Sequence, residues 1–318
     1  MPSIAQYFPI TDPTLIFFVV LCIILLAPIV MSRLRIPHIV GMVLAGVAIG
    51  QYGLNILERD SSFELFGRVG LLYIMFLAGL ELNLTSIRKK HRQFLVFGLL
   101  TFLIPFVMAY FMGIFLLKYS EMTSLLLACI LASNTLIAYP IVCKFGLQKH
   151  PGVALSVGSS MIALTLSLLI LAAIVGSSDG ESGVSFWMLF IVKVIAFCAL
   201  STMIVPRLTR WFFNHYADSV MLYIYVMCVL FFSAAISEIC GLEGIFGAFV
   251  AGLLLNRYIP SVSPLMNRIE FIGNALFIPY FLIGVGMLID FSVLFHGYDT
   301  LWVIFCMVMI ATISKALA

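Results

Sequence analysis

Long apolar stretches separated by short polar connections recur along the whole chain. They lie near 13–32, 37–51, 66–82, 93–117, 122–144, 152–176, 185–206, 219–239, 243–257, 269–289 and 300–318. Most approach the roughly 20 residues that cross a ~30 Å hydrocarbon core as a helix. The ~10-residue alternating segments of a transmembrane β-barrel do not appear. The pattern predicts an all-α polytopic membrane protein with about eleven transmembrane helices. The second and ninth segments are short and rich in Gly and Ala, which suits close helix packing in lipid. No charge run, low-complexity segment or Ser/Gly-rich linker divides soluble domains, so a single domain over 1–318 is expected.

Two of these segments depart from plain apolarity in opposite ways. Polar residues Ser133, Asn134 and Thr135, followed by Tyr139 and Pro140, interrupt 122–144. Proline removes a backbone donor and disfavours helical geometry at the residue before it, so a break is expected within 132–140. A broken helix at membrane depth is tolerated where the freed backbone groups line a protein cavity. Helix–helix hydrogen bonding by these same side chains is the plainer reading. The other segment, by contrast, holds no Asp, Glu, Lys, Arg or His from Val153 to Ser178. Its polar groups are Ser156, Ser159, Ser160, Thr165, Ser167, Ser177 and Ser178, and the plain reading of the nearby serines is a back-bond to the preceding turn.

Composition agrees with the pattern. Hydrophobic residues make up 63% of the chain and charged residues 10%, against about 25% charged in soluble domains. Charge adds orientation. Twelve of the seventeen Lys and Arg fall on alternate connections: Arg33, Arg35, Arg88, Lys89, Lys90, Arg92, Lys144, Lys149, Arg207, Arg210, Arg257 and Arg268. By the positive-inside rule that side is cytoplasmic and the N-terminus lies outside. The net charge of +3 therefore reflects topology and gives no case for nucleic-acid binding.

The chemistry of soluble enzymes has no residues to stand on here. The seven cysteines form no CxxC pair and read as small buried hydrophobes, so neither a disulfide framework nor a metal site is expected. The five histidines fall at segment ends or in loops, and no P-loop or G-x-S-x-G elbow occurs. Met1 to Thr14 carries only Asp12 as a charge, so a cleavable signal peptide is not expected. An intramembrane charge is a functional candidate by default. Lys315 is one, with snorkelling to the interface as its plain alternative. Lys193, Asn274 and the acids Glu81, Glu238, Glu243 and Asp290 read as pairing, packing or capping groups, Glu243 also as a funnel residue.

Four blocks carry a resemblance: RIPHIVGMVLAG running on to Gly50, GLLYIMFLAGLEL from Gly70, GIFGAFVAGLLL from Gly244, and FIPYFLIGVGMLIDF from Phe277. In this order they resemble the monovalent cation:proton antiporter-2 family, whose transmembrane domain is sodium/hydrogen exchanger-like. The resemblance implies inverted repeats, a homodimer, and a scaffold over about 13–51 and 185–257. It also implies a mobile core over about 66–176 and 269–318, with broken, crossing helices. It implies a bacterial plasma membrane, no cofactor, and exchange of Na⁺ or K⁺ for protons by alternating access. The family's core acids align with Leu164 and Thr165, and its core Lys with Lys315. Ser133, Asn134, Thr135, Thr165 and Lys315 are then the expected ion path. Threonine can ligate a cation but does not release a proton at physiological pH, so the core is atypical. Relatives continue with two more core helices, so C-terminal truncation is expected at Ala318. A proton-uncoupled uniporter or channel-like protein, and a transport-incompetent sensor or scaffold, are the alternatives.

Overall fold

A computed structural model describes residues 9–34, 36–81, 91–133, 142, 145–147, 150–178, 184–260, 262–292 and 298–317. The described chain is almost wholly helical, with one isolated bridge pairing Ile10 and Leu57. In order come α1 (Pro13–Arg33), α2 (His38–Ile49), α3 (Ser61–Glu81) and α4 (His91–Phe111, extended by a π turn over Met112–Leu116). Then follow α5 (Glu121–Ala132), α6 (Pro151–Ser178), α7 (Val184–His215), α8 (Ser219–Ile239) and α9 (Gly244–Leu255). α10 (Pro264–Met287) contains a π turn over Gly273–Phe277, and α11 is Tyr298–Leu317. Among the described residues seven helices are long and apolar enough to cross a membrane, and α2, α5, α9 and part of α6 are shorter apolar helices. Helices overlap all the apolar stretches of the sequence, while the number of crossings stays an expectation.

Helix starts are chemically marked. Asp12 accepts the Leu15 amide at 3.0 Å and Asp60 the Phe63 amide at 2.8 Å. Ser120 caps α5 through the Thr123 amide, and Ser263 caps α10 through the Met266 amide. These side chains replace the partners that the first turn of a helix lacks. The π turn in α10 is closed by the Ile278 amide on the Gly273 carbonyl and stands directly before Pro279, which has no N–H to donate to Ala275.

The chain divides into two compact units, one made of 1–74 and 262–296, the other of 75–261 and 297–318. The first unit holds α1, α2, the start of α3, and α10. Its helices meet backbone to backbone: a Cβ on Gly46 would overlap the Ile283 carbonyl oxygen, and one on Gly286 the Val43 carbonyl oxygen. Gly70 meets Phe277 in the same way, and the Tyr73 hydroxyl donates to the Ile269 carbonyl at 2.9 Å. Small residues thus let helices approach closely where apolar burial against lipid gives no gain.

The second unit uses the same device. Gly79 at the end of α3 and Gly252 of α9 face each other's backbones, and the Asn256 amide donates to the Leu80 carbonyl. α8 and α9 form a tight hairpin, turned at Gly241 with φ +86°. Ser233 Oγ donates to the Gly247 carbonyl at 2.8 Å and Ser237 Oγ to the Glu243 carbonyl at 2.9 Å. α7 joins this hairpin through Phe197 against Leu242 and Phe246, and through the 2.9 Å hydroxyl pair of Thr209 and Tyr225. α4, α5 and α6 pack through Phe102, Ala132 and Ala163, while α11 adds Cys306 against Met112 and Leu127.

Candidate functional site

α5 is only 12 residues long, about 18 Å at 1.5 Å per residue, and cannot cross a ~30 Å core alone. It stops where the polar run begins. Ser133 has left the helix for extended backbone at φ −62°, ψ 136°. Its amide still donates to the Cys129 carbonyl at 3.0 Å, and its Oγ donates to the Ile130 carbonyl at 2.8 Å. One hydroxyl thereby fills an acceptor that the helix end would leave open. Asn134 and Thr135, with Tyr139 and Pro140, lie outside the described residues.

α6 passes the end of α5 in close contact. Ala163 packs on Ala132 and Phe102, with Leu166 and Ile170 along the same stripe. Ser167, buried, donates its Oγ to the Cys129 carbonyl at 2.6 Å. The plain reading of the α6 serines holds for Ser159 and Ser160, which bond back to the Ser156 carbonyl at 2.9 and 2.7 Å. Ser167 differs: it bonds across to α5 and fastens the last turn before the break. Its partner is 38 residues earlier in the chain, so no local sequence signal announces it.

Thr165 is half-buried on α6 and has an interaction partner. It stands about 200° around the helix from Ala163, so the α5-facing stripe and Thr165 lie on different sides. Leu164, at the other position aligned with the family acids, is buried. Lys315 lies in the last turn of α11, exposed and with a partner, about 180° around from Cys306, which faces α4 and α5. Buried Ser314 precedes it. Ser133 and α6 are thus brought together through Cys129 and Ser167.

The other polar residues take separate places. Asp290 accepts the Ser292 amide at 2.8 Å. Asn274 sits exposed in the π turn of α10, and Lys193 is exposed on α7. Glu81 and Glu238 each have a partner. Among the described residues no group of three His, Cys, Asp or Glu side chains could hold a metal ion.

Glu243, before the first residue of α9, makes no capping bond. Partial desolvation at the α8–α9 corner, and then the Glu238 carboxylate, push its carboxyl above the usual range. An acid with a raised folded-state pKa binds more protons folded than unfolded, so stability falls as pH rises from the ordinary glutamate range through the raised value. Glu243→Gln is therefore expected to raise Tm slightly at pH 8 and to leave it unchanged at pH 4. Thermal unfolding in detergent at the two pH values measures this, and an equal shift at both would contradict the assignment.

The description "Sodium/hydrogen exchanger, transmembrane" matches this chain over residues 19–318. The Na(+)/H(+) antiporter NhaS5 of Synechocystis is 31% identical over 97% of this chain and 44% of its own length. A probable Na(+)/H(+) antiporter of Methanocaldococcus jannaschii is 28% identical, over 88% of this chain and 73% of its own. The K(+)/H(+) antiporter 1 of Saccharomyces cerevisiae is 27% identical over 97% of this chain and 39% of its own. The chain thus spans less than half the length of two of these relatives. The solved structure of the sodium proton antiporter MjNhaP1 from Methanocaldococcus jannaschii has the same fold, with a TM-score of 0.60 at 18% identity, covering 92% of this chain and 74% of that one.

Proposed function

The chain belongs to the sodium/hydrogen exchanger transmembrane family, and on that premise we propose that it exchanges a monovalent cation, Na⁺ or K⁺, for protons by alternating access. It is an integral membrane protein of a transporter family. The names of its relatives, Na(+)/H(+) and K(+)/H(+) antiporters, support the reaction class. The observation that carries the reading is local: α5 ends at Ser133 at the start of the polar run, held against α6 by the Ser167–Cys129 bond. A helix end inside the bundle offers carbonyl groups and hydroxyls to a partly dehydrated cation. We place the ion path along Ser133, Asn134, Thr135 and Thr165, with Lys315 as its charged neighbour.

The same reading includes a homodimer, a scaffold over about 13–51 and 185–257, and a core over about 66–176 and 269–318. It puts the protein in a bacterial plasma membrane with its N-terminus outside. One observation favours a second reading. From Val153 to Ser178 no side chain carries a carboxylate, and without one near the path the protein moves or senses an ion with weak proton coupling.

The test is dissipation of an imposed pH gradient in proteoliposomes on addition of Na⁺ or K⁺. Cation-dependent dissipation above that of empty liposomes is expected. Cation uptake without any proton flux would replace exchange by the uncoupled reading. Absence of both fluxes in the full-length protein would remove transport altogether.

A further inference from the structure

Within the first unit, the starts of α1 and α3 and the middle of α10 enclose a cavity of about 450 Å³. Its walls are aromatic: Phe17, Phe63, Phe66 and Tyr280. Tyr280 is the hub, with ring centroids 5.0 Å from Phe66, 5.2 Å from Phe63 and 6.0 Å from Phe17. Thr14, Asp60 and Ser62 supply polar lining. Asp60 is half-buried and spends one carboxylate oxygen on the Phe63 amide.

Two observations point to an occupant. The first is Tyr280 itself, which is 2% exposed. Buried tyrosine hydroxyls find partners. Tyr73 bonds to the Ile269 carbonyl, Tyr225 to Thr209 and Tyr258 to the Pro206 carbonyl. Among the described residues the Tyr280 hydroxyl takes no protein partner and is open to the cavity rather than sealed, Ser124 Oγ being the one sealed side-chain polar atom without a partner. The second is charge. Asp60 is the carboxylate in the lining, and the neighbouring Arg59 is occupied with Glu64 at 3.7 Å. Arg68, a turn further along α3, has its own partner.

We propose that this cavity binds an organic ammonium cation. Aromatic faces attract a weakly hydrated cation through their quadrupoles, and cages of this kind suit quaternary ammonium groups. The Asp60 carboxylate supplies the counter-charge, and the Tyr280 hydroxyl oxygen offers the cation its lone pairs as a charge–dipole contact rather than a hydrogen bond. A bare Na⁺ is a poor occupant, because its hydration shell is not replaced by ring faces and only a few oxygens. The ammonium can come from a soluble amine or from a choline or ethanolamine headgroup, since the site opens at the ends of α1 and α3. The proposal is independent of the transport reading.

The probe is benzyltrimethylammonium, titrated by calorimetry onto the purified protein in nanodiscs of phosphatidylglycerol, which carries no ammonium. Saturable binding at one site is expected, weakened about tenfold by Asp60→Asn. Asparagine remains a good helix cap, so α3 keeps its start. Phe66→Leu should weaken binding about fivefold and Tyr280→Phe about twofold. Repeating the titration in phosphatidylcholine discs separates the sources: an unchanged midpoint assigns the site to soluble amines, and a weakened one to headgroups. Absence of saturable binding up to tens of millimolar overturns the proposal. So does binding indifferent to both Asp60→Asn and Phe66→Leu, or displacement by equimolar NaCl.

Discussion

Gly46→Ala should destabilise the protein by roughly 2–3 kcal/mol, although alanine favours helix over glycine by about 1 kcal/mol. The added Cβ would fall on the Ile283 carbonyl oxygen and within 3.1 Å of the Gly286 Cα. Both neighbours are backbone, so no rotamer change relieves the overlap, and α2 has to move off α10. Overpacking of this kind typically costs 1–3 kcal/mol, sometimes more. Gly67→Ala is the matched control, since nothing lies within 4 Å of a Cβ there; it should be neutral or slightly stabilising. Thermal unfolding followed by far-UV circular dichroism in detergent compares the two. Equal midpoints for both variants would show that α2 and α10 are not held in backbone contact. The effects of Gly46→Ala and Gly286→Ala should not add, because one separation of the helices relieves both overlaps.

The largest functional change is expected from Thr165→Asp. A carboxylate at this half-buried position supplies a proton acceptor and a negative charge for a cation, the two things that the path lacks in α6. In the full-length protein, cation-dependent dissipation of a pH gradient should rise on the order of tenfold, with Thr165→Asn as the uncharged control. Ala163→Asp is the informative companion. Ala163 is fully buried against Ala132 and Phe102, so an acid there faces the end of α5 but has no room and no partner; loss of folded protein is expected. If Thr165→Asp leaves exchange unchanged while the native protein exchanges robustly, the coupling group lies elsewhere in the chain.

Much of the fold was legible because the bilayer imposes a length rule on apolar runs, and helices lie in all the stretches so marked. The edges were less legible, for local reasons. α3 begins at Ser61, before the apolar run proper, because Asp60 caps it. α10 likewise begins at Pro264 behind the Ser263 cap. α7 runs through Pro206 to His215, where the apolar pattern had suggested an end. There one missing donor is tolerated within a long helix. Of the candidate path, the stop at Ser133 could be read from polarity and a nearby proline. The Ser167–Cys129 bond could not, because it joins residues related only by the way α5 and α6 cross. Nor could the cavity-facing hydroxyl of Tyr280, since a single sequence does not say which tyrosine finds a carbonyl.

The π turn at Gly273–Phe277 has a consequence for how this chain tolerates changes in length. A π turn holds one residue more than the α turn it replaces. Removing one residue from it therefore restores an ordinary turn without rotating either flank. The Tyr73–Ile269 bond lies before the turn and the Tyr280 cluster after it. Both would keep their registration. Elsewhere in α10 a single deletion turns everything downstream by about 100° and drives Gly286 off the Val43 carbonyl. The turn is thus a seam, the place in this helix where a codon can be lost while the packing on both sides stays in phase.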